Sequence, residues 1–261
     1  MSRIRALLWD VDGTLAETER DGHRVAFNRA FEAVGLPWRW NEVYYGELLR
    51  VAGGRERLLH DMKSRSDAPT SAGEREALAR DLHQRKNAYY GELVRAGALP
   101  LRDGVLALMH ECRARDVRMG IVTTTSRTNL ETLLHVQLGR DWRSWFSALV
   151  CGEDVQRKKP DPEVYLLALR QLGIAPLEAV ALEDSPGGVA AARAADVPVV
   201  VTLSAYFADA TIEGAVAIGP GLHDRRGWRP ALPYSEPGPE RVGLDDIEGW
   251  CAQMDTVSQF G

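Results

Sequence analysis

Ile4-Arg5-Ala6-Leu7-Leu8-Trp9-Asp10-Val11-Asp12-Gly13-Thr14 is the stretch that decides the fold. A short apolar run breaks off in two acids, a glycine and a threonine. Such a run predicts a buried parallel strand whose C-terminal end opens into a loop. Similar runs recur at 119–125, 148–151, 179–184, 197–203 and 215–219, with helical patterns between them, as at 162–172 and 187–195. Alternation of strand and helix predicts an α/β core, a parallel sheet with helices on both faces.

Residues 16–100 break this rhythm. They hold no convincing strand but several amphipathic stretches, at 24–34, 41–50, 56–63 and 74–94. A crossover between parallel strands needs only about a dozen residues. The excess length predicts a helical cap domain at 16–100, inserted into a core made of 1–15 and 101–261, with Trp38 and Trp40 in the cap's own core. From Pro220 the chain is rich in Pro, Gly and Arg. Pro230, Pro233, Pro237 and Pro239 predict a loop or semi-extended C-terminal extension, with a last helix at 244–254.

The 261 residues suit one α/β domain with an insertion, and 45% hydrophobic content supplies a core. A net charge of −5 argues against a dedicated nucleic-acid binder, though not against a local basic pocket. Cys112, Cys151 and Cys251 form no CxxC pair or zinc pattern, and an odd count fits plain reduced thiols. No apolar stretch reaches the roughly 18 residues of a membrane span. The chain therefore reads as a soluble cytoplasmic protein, taken as a monomer. His60, His110, His135 and His223 read as surface or packing residues.

Four clusters fall at predicted strand ends, where ligands bind in open α/β sheets. In the first, alternation along an extended strand points the Asp10 and Asp12 carboxylates to one side. Two close carboxylates repel unless a cation or shared proton lies between them, and a hard dication such as Mg²⁺ resolves that. A carboxylate held this way can attack phosphorus, and a second can serve as acid and base. The second cluster is Thr123-Thr124-Thr125-Ser126, whose hydroxyls and N–H groups at a strand-to-helix junction suit phosphate oxygens. The third is Lys158-Lys159-Pro160, where a lysine can place positive charge on a transferring phosphoryl group or simply belong to a solvated loop. In the fourth, Glu183-Asp184-Ser185, the acids either cap the next helix or complete a metal site.

The four clusters in this order resemble the haloacid dehalogenase superfamily, whose fold is a Rossmann-like parallel sheet. The match runs from about Arg3 to Leu203. The resemblance implies Asp10 as nucleophile, Asp12 as acid/base, Thr123 and Lys159 as phosphate binders, and Mg²⁺ held by Asp10, Glu183, Asp184 and Asp12, the last through its backbone carbonyl. Lys159 is chosen over Lys158 because the family lysine directly precedes the proline. Dehalogenases of the superfamily lack the second aspartate, so Asp12 implies phosphoryl chemistry. The insert resembles the helical cap of the β-phosphoglucomutase-like branch.

A closer resemblance is to CbbY-type proteins. It rests on Ala16-Glu17-Thr18-Glu19 with His23 and Ala26-Phe27-Asn28, on Gly53-Gly54-Arg55-Glu56-Arg57, on His83-Gln84-Arg85-Lys86, and on Thr123-Thr124-Thr125-Ser126 followed by Asn129. That family is similar to xylulose-1,5-bisphosphate phosphatases, which remove an inhibitory by-product of Rubisco and so serve the Calvin cycle. The chain departs from it in having Arg55 where the family has lysine, and in its longer tail. The implied substrate residues are Glu19, His23, Gly53, Gly54, Arg55, Glu56, Arg57, His83, Lys86, Thr124, Thr125, Ser126 and Asn129. Their chemistry agrees with that role. Gly53-Gly54 admits a close backbone approach, Arg55 and Arg57 can clamp a phosphate bidentately, and His83 and Lys86 share one helix face. The implied function is hydrolysis of a sugar bisphosphate. A phosphosugar mutase, a general sugar-phosphate monoesterase and a non-catalytic phosphosugar-binding protein are the other readings.

Overall fold

The computed structural model describes residues 4–231 and 240–258. Six strands form one parallel sheet. They are β1 (Ala6–Trp9), β2 (Arg118–Val122), β3 (Ala148–Val150), β4 (Ala179–Glu183), β5 (Val199–Thr202) and β6 (Ala217–Gly219), in the order β3-β2-β1-β4-β5-β6. β1 lies in the middle, with Trp9 in register with Ile121 on one side and Leu182 on the other. The chain winds outward from β1 to β3, then returns to the other side of β1 and winds out to β6. The direction reverses between β1 and β4, and the crevice beyond the strand ends there is where such sheets bind ligands.

Both faces of the sheet are covered, which is why its strands read as continuous apolar runs. Leu7, Trp9, Met119 and Ile121 face α5 (Val105–Ala114) and α6 (Arg127–Leu138), while Ala6, Leu8, Val199 and Val201 face α7 (Glu163–Leu172) and α8 (Pro186–Ala194). α5 and α6 are crossovers beyond those singled out in the sequence. The strands are shorter than the apolar runs suggest. β2 stops at Val122, and the hydroxyl-rich residues after it leave the sheet.

Between β1 and α5 lie a π-helical turn at Glu19–His23, then α1 (Arg24–Ala33), α2 (Glu42–Leu48), α3 (Gly54–Ser64) and α4 (Ala72–Arg95). These match the four amphipathic stretches. Asn41 and Ser71 cap α2 and α4 through their side chains. The helices close on an aromatic cluster in which the Phe27 and Trp40 rings lie 4.7 Å apart and the Phe31 and Trp40 rings 5.0 Å apart. Trp38 and Trp40 are both buried in it. Tyr206, from the loop after β5, reaches into this cluster beside Tyr45.

The tail is more ordered than its composition suggests. Leu222, Trp228, Val242 and Trp250 join the core, and Trp228 stacks on Trp250 of α9 (Leu244–Ser258) at 4.6 Å. Arg229 pairs with Ile218 by two backbone hydrogen bonds, covering the β6 edge. The expectations for Arg3, Pro233, Pro237 and Pro239 lie outside the described residues. Cys112 and Cys151 are buried free thiols, and Cys251 is half-buried. His60, His110, His135 and His223 are exposed. Among the described residues no helix is long and apolar enough to cross a membrane.

Candidate active site

Asp10 is the first residue beyond β1, pinned there by its N–H to the Leu182 carbonyl. Its Oδ1 accepts a hydrogen bond of 2.7 Å from Lys159 Nζ, which also donates to Glu183 Oε1 at 2.6 Å and to the Val122 carbonyl at 2.9 Å. The Tyr165 hydroxyl donates to the same Glu183 oxygen at 2.5 Å. Ligand atoms of Asp10, Glu183 and Asp184, all buried, lie within 4.8 Å of one another. Glycines make room for two of these acids. A Cβ on Gly13 would stand 2.0 Å from Asp184 Oδ2, and one on Gly188 would stand 1.8 Å from Glu183 Oε2.

The charges in this cluster do not balance. Burial works against the Lys159 ammonium, but Asp10 and Glu183 raise it above its ordinary value. One ammonium neutralises one of three carboxylates. Burial therefore pushes Asp10 up to about 8, with Lys159 pulling it back and Glu183 adding to the rise. Asp184 is raised well above the usual range by burial and by its acidic neighbours. Glu183 Oε2 is buried without a hydrogen-bond partner. An excess of two negative charges on oxygen ligands fits a hard dication such as Mg²⁺.

The Asp12 carboxylate is not in this cluster. Asp10 and Asp12 border a common cavity, but Asp12 does not join the three acids that converge. Asp12 Oδ1 instead meets Thr18 Oγ1 at 2.5 Å and His23 Nε2 at 3.0 Å. Thr18 spends its hydroxyl on Asp12 rather than capping the π-helical turn. Burial would raise Asp12, but His23 and the two hydrogen bonds outweigh it and hold the carboxyl at about 2.

A cavity of about 570 Å³ lies between the inserted helices and the strand ends. Asp12 and every sequence-predicted substrate residue line it: Glu19, His23, Gly53, Gly54, Arg55, Glu56, Arg57, His83, Lys86, Thr124, Thr125, Ser126 and Asn129. A second cavity of about 510 Å³ is lined by Asp10, Lys159 and Asp184, and shares Asp12, Glu19, Arg57 and Thr124 with the first. Lys86 is buried against the Phe27 and Tyr90 rings, and burial lowers it to about 8 against the pull of Asp12 and Glu19. Burial and the nearby Lys86 charge push His83 down to about 4, so at neutral pH it is an uncharged donor and acceptor.

Three residues sit differently from the simplest reading. Arg57 is buried and committed, to the Tyr45 hydroxyl at 2.6 Å, the Leu48 carbonyl at 3.2 Å and Glu19 at 3.5 Å, while Arg55 is the exposed guanidinium at the cavity. Ser126 and the N-terminus of α6 are occupied within the protein, since Ser126 Oγ accepts from Asn129 N and Glu153 accepts from Arg127 N. Thr123 donates its N–H to Val150 and accepts from Thr125 N through its hydroxyl, so it braces the loop and lines neither cavity.

The sequence profile of the haloacid dehalogenase-like hydrolases matches residues 4–196. The chain belongs to that family. CbbY of Cupriavidus necator is 42% identical to this hydrolase over 221 residues, 85% of this chain and 87% of that protein. A CBBY-like protein of Arabidopsis thaliana is 37% identical over 82% of this chain and 67% of its own. The crystal structure of Rhodobacter sphaeroides CbbY in complex with phosphate superposes with a TM-score of 0.81, at 34% identity, covering 94% of this chain and 99% of that one. A variant of the same protein in complex with xylulose-(1,5)bisphosphate gives 0.79 at 36% identity, covering 86% and 97%. The chain is thus a hydrolase of the CbbY-like phosphatase group with a parallel α/β core.

Several residues of the site have no sequence signal. Thr18, Tyr45 and Tyr165 each serve a buried charge, and Asn87 joins α4 to α6 by accepting from Asn129 Nδ2 at 3.1 Å. Only Thr18 lies within a quoted motif. Lys158, unassigned in the sequence, lines the first cavity and reaches Glu56 Oε1 at 2.8 Å.

Proposed function

We propose that the chain is a Mg²⁺-dependent phosphatase of a sugar bisphosphate, xylulose 1,5-bisphosphate by resemblance, working through an aspartyl-phosphate on Asp10. The observation that carries this is the division of the site. Asp10, Lys159 and Asp184 line one cavity, the sugar-recognition residues line the other, and Asp12 borders both. A phosphate ester laid across that boundary has its phosphorus at Asp10 and its bridging oxygen at Asp12. The bisphosphate complex of a CbbY relative supports the choice of substrate class.

Asp10 attacks phosphorus, and the bond to the sugar oxygen breaks as Asp12 delivers a proton to that oxygen. The Asp12 carboxylate then takes a proton from water, which attacks the phosphoryl group, releasing phosphate and restoring Asp10. Lys159 supplies positive charge to meet the phosphoryl oxygens, Thr124 lines the same cavity, and Thr123 braces the loop that carries Thr124. Asp10, Glu183 and Asp184, with the Asp12 carbonyl, would hold Mg²⁺, which shields the approach of a carboxylate to an anionic phosphoryl group. Thr18 and His23 belong to the 16–100 insert, read as a cap, so Asp12 stays ionised while they hold it. Acid action therefore requires the insert to shift.

The test is a phosphate-release screen of sugar mono- and bisphosphates with Mg²⁺, comparing kcat/KM. A bisphosphate, xylulose 1,5-bisphosphate foremost, should lead. No phosphate release overturns the reading, and isomerised sugar phosphate formed only with a bisphosphate activator marks a mutase.

A further inference from the structure

Arg102 stands where the chain re-enters the core after the inserted helices. It touches neither cavity, yet its side chain is only 14% exposed. Nη1 donates to the carbonyls of Gly13 and Thr202, the latter at 3.1 Å, and to Thr202 Oγ1 at 3.2 Å. Nη2 donates to the carbonyls of Leu203 at 2.7 Å and Pro220 at 3.2 Å. The backbone N–H of Arg102 meets Leu15 O at 2.8 Å, and its Nε lies 3.6 Å from Glu17. One guanidinium therefore ties the loop after β1 to the loops after β5 and β6.

Two of these loops, those after β1 and β5, frame Asp184. The loop after β5 continues to Ser204, which crowds the same Gly13 position as Asp184, its Cβ 3.1 Å from where a Gly13 Cβ would stand, and whose hydroxyl works to lower the Asp184 carboxyl. The loop after β1 brings Gly13 so close that a Cβ there would overlap Asp184, and its carbonyl follows directly on the Asp12 peptide. Glu17 reinforces the junction by accepting from Ala205 N at 3.2 Å. A guanidinium fork is the one side chain that can hold several carbonyls in a fixed plane at once. Five acceptors for one cation exceed what is needed to seal a loop. They fix the distance between Gly13 and Ser204, and so the slot in which Asp184 lies.

We propose that Arg102 is a positioning residue for the carboxylate cluster, setting its affinity for Mg²⁺ from outside the site. The inference rests on the reading of that cluster as the metal site. Outer partners that orient metal ligands typically change affinity by about 10- to 100-fold when altered, and the same is expected here.

The measurement is calorimetric titration of Mg²⁺ alone into the full chain, for wild type, Arg102→Lys and Ser204→Ala, with far-UV circular dichroism confirming the fold. Lysine keeps the charge but cannot serve the separate carbonyls. Both variants should bind Mg²⁺ about 10- to 100-fold more weakly. The double variant should be little worse than the weaker single one, because the two residues act along one line. At saturating Mg²⁺ the substrate KM should match wild type. A folded Arg102→Lys whose only defect is a lower Tm, with Mg²⁺ affinity intact, overturns the proposal. Should Arg102→Lys not fold, Ser204→Ala decides in the same way. Absence of Mg²⁺ binding by the wild type overturns the metal reading and this inference with it, whereas wild-type binding matched by the variants overturns this inference alone.

Discussion

Replacing Lys159 with methionine keeps the length of the side chain and removes the one cation that, among the described residues, directly contacts Asp10 and Glu183. Lys159 Nζ is within 2.7 Å of both Asp10 and Glu183, and its side chain is 7% exposed. Whichever carboxylate carries the charge that Lys159 balances is left alone in a buried setting. The least costly response is to take up a proton. Raising an ordinary carboxyl value near 4 to pH 7 spans about 3 units, or about 4 kcal/mol. That agrees with the roughly 3–5 kcal/mol lost when one partner of a buried ion pair is removed. For a chain of this size each kcal/mol moves Tm by about 2–4 °C, so a fall of about 8–16 °C is expected in EDTA. Mg²⁺ should recover part of it, since a dication offsets the excess negative charge. Activity should fall by about 10²–10³, the usual cost of one preorganised electrostatic contact. Thermal unfolding by circular dichroism with EDTA or Mg²⁺, alongside kcat, measures both. An unchanged Tm in EDTA together with normal kcat would refute the argument that this ammonium balances the acids.

Arg55→Ala should separate bisphosphates from simple esters. Because Arg55 is exposed, the low end of the range for hydrogen bonds to charged groups applies, about 1.5 kcal/mol or roughly 10-fold in kcat/KM on a sugar bisphosphate. p-Nitrophenyl phosphate, with no second phosphate, should lose much less, and equal losses would place Arg55 at the reacting phosphate or in closure. Stability in EDTA should also depend on pH. Asp10 is raised from 3.8 to about 8 by burial, so the folded state binds more protons than the unfolded one between those values. Stability then declines as pH rises through that window. Mg²⁺ should flatten the slope, and a Tm in EDTA that rises from pH 5 to pH 8 would contradict the charge imbalance.

The sheet was legible because a strand buried on both faces leaves a continuous apolar run, and the runs of β1, β2 and β4 stop at Asp10, Thr123 and Glu183-Asp184. Motif order then brought Asp10, Lys159, Glu183 and Asp184 together from positions far apart in the chain. What the sequence could not show are pairings without a local period. Nothing around Thr18 says that its hydroxyl goes to Asp12 rather than to a helix cap, and nothing around Tyr165 says that it serves Glu183. Alternation could not show that the Asp12 carboxylate goes to Thr18 and His23 while the other acids gather around Lys159. Glu153 at the start of α6 could not be foreseen either, since it comes from the loop after the next strand. The tail was hidden by its composition, because isolated tryptophans such as Trp228 and Trp250 carry no periodicity.

The central claim is that Asp10 becomes phosphorylated during turnover. It is tested most directly by rapid acid quench of the enzyme with Mg²⁺ and xylulose 1,5-bisphosphate, followed by peptide mass spectrometry. A phosphoryl increment on the peptide containing Asp10 is predicted. It should form at least as fast as phosphate is released and be absent with EDTA. Asp10→Asn should lack both the adduct and turnover, because loss of a covalent nucleophile leaves only positioning and electrostatics. Steady release of phosphate by Asp10→Asn at the wild-type rate would contradict the account.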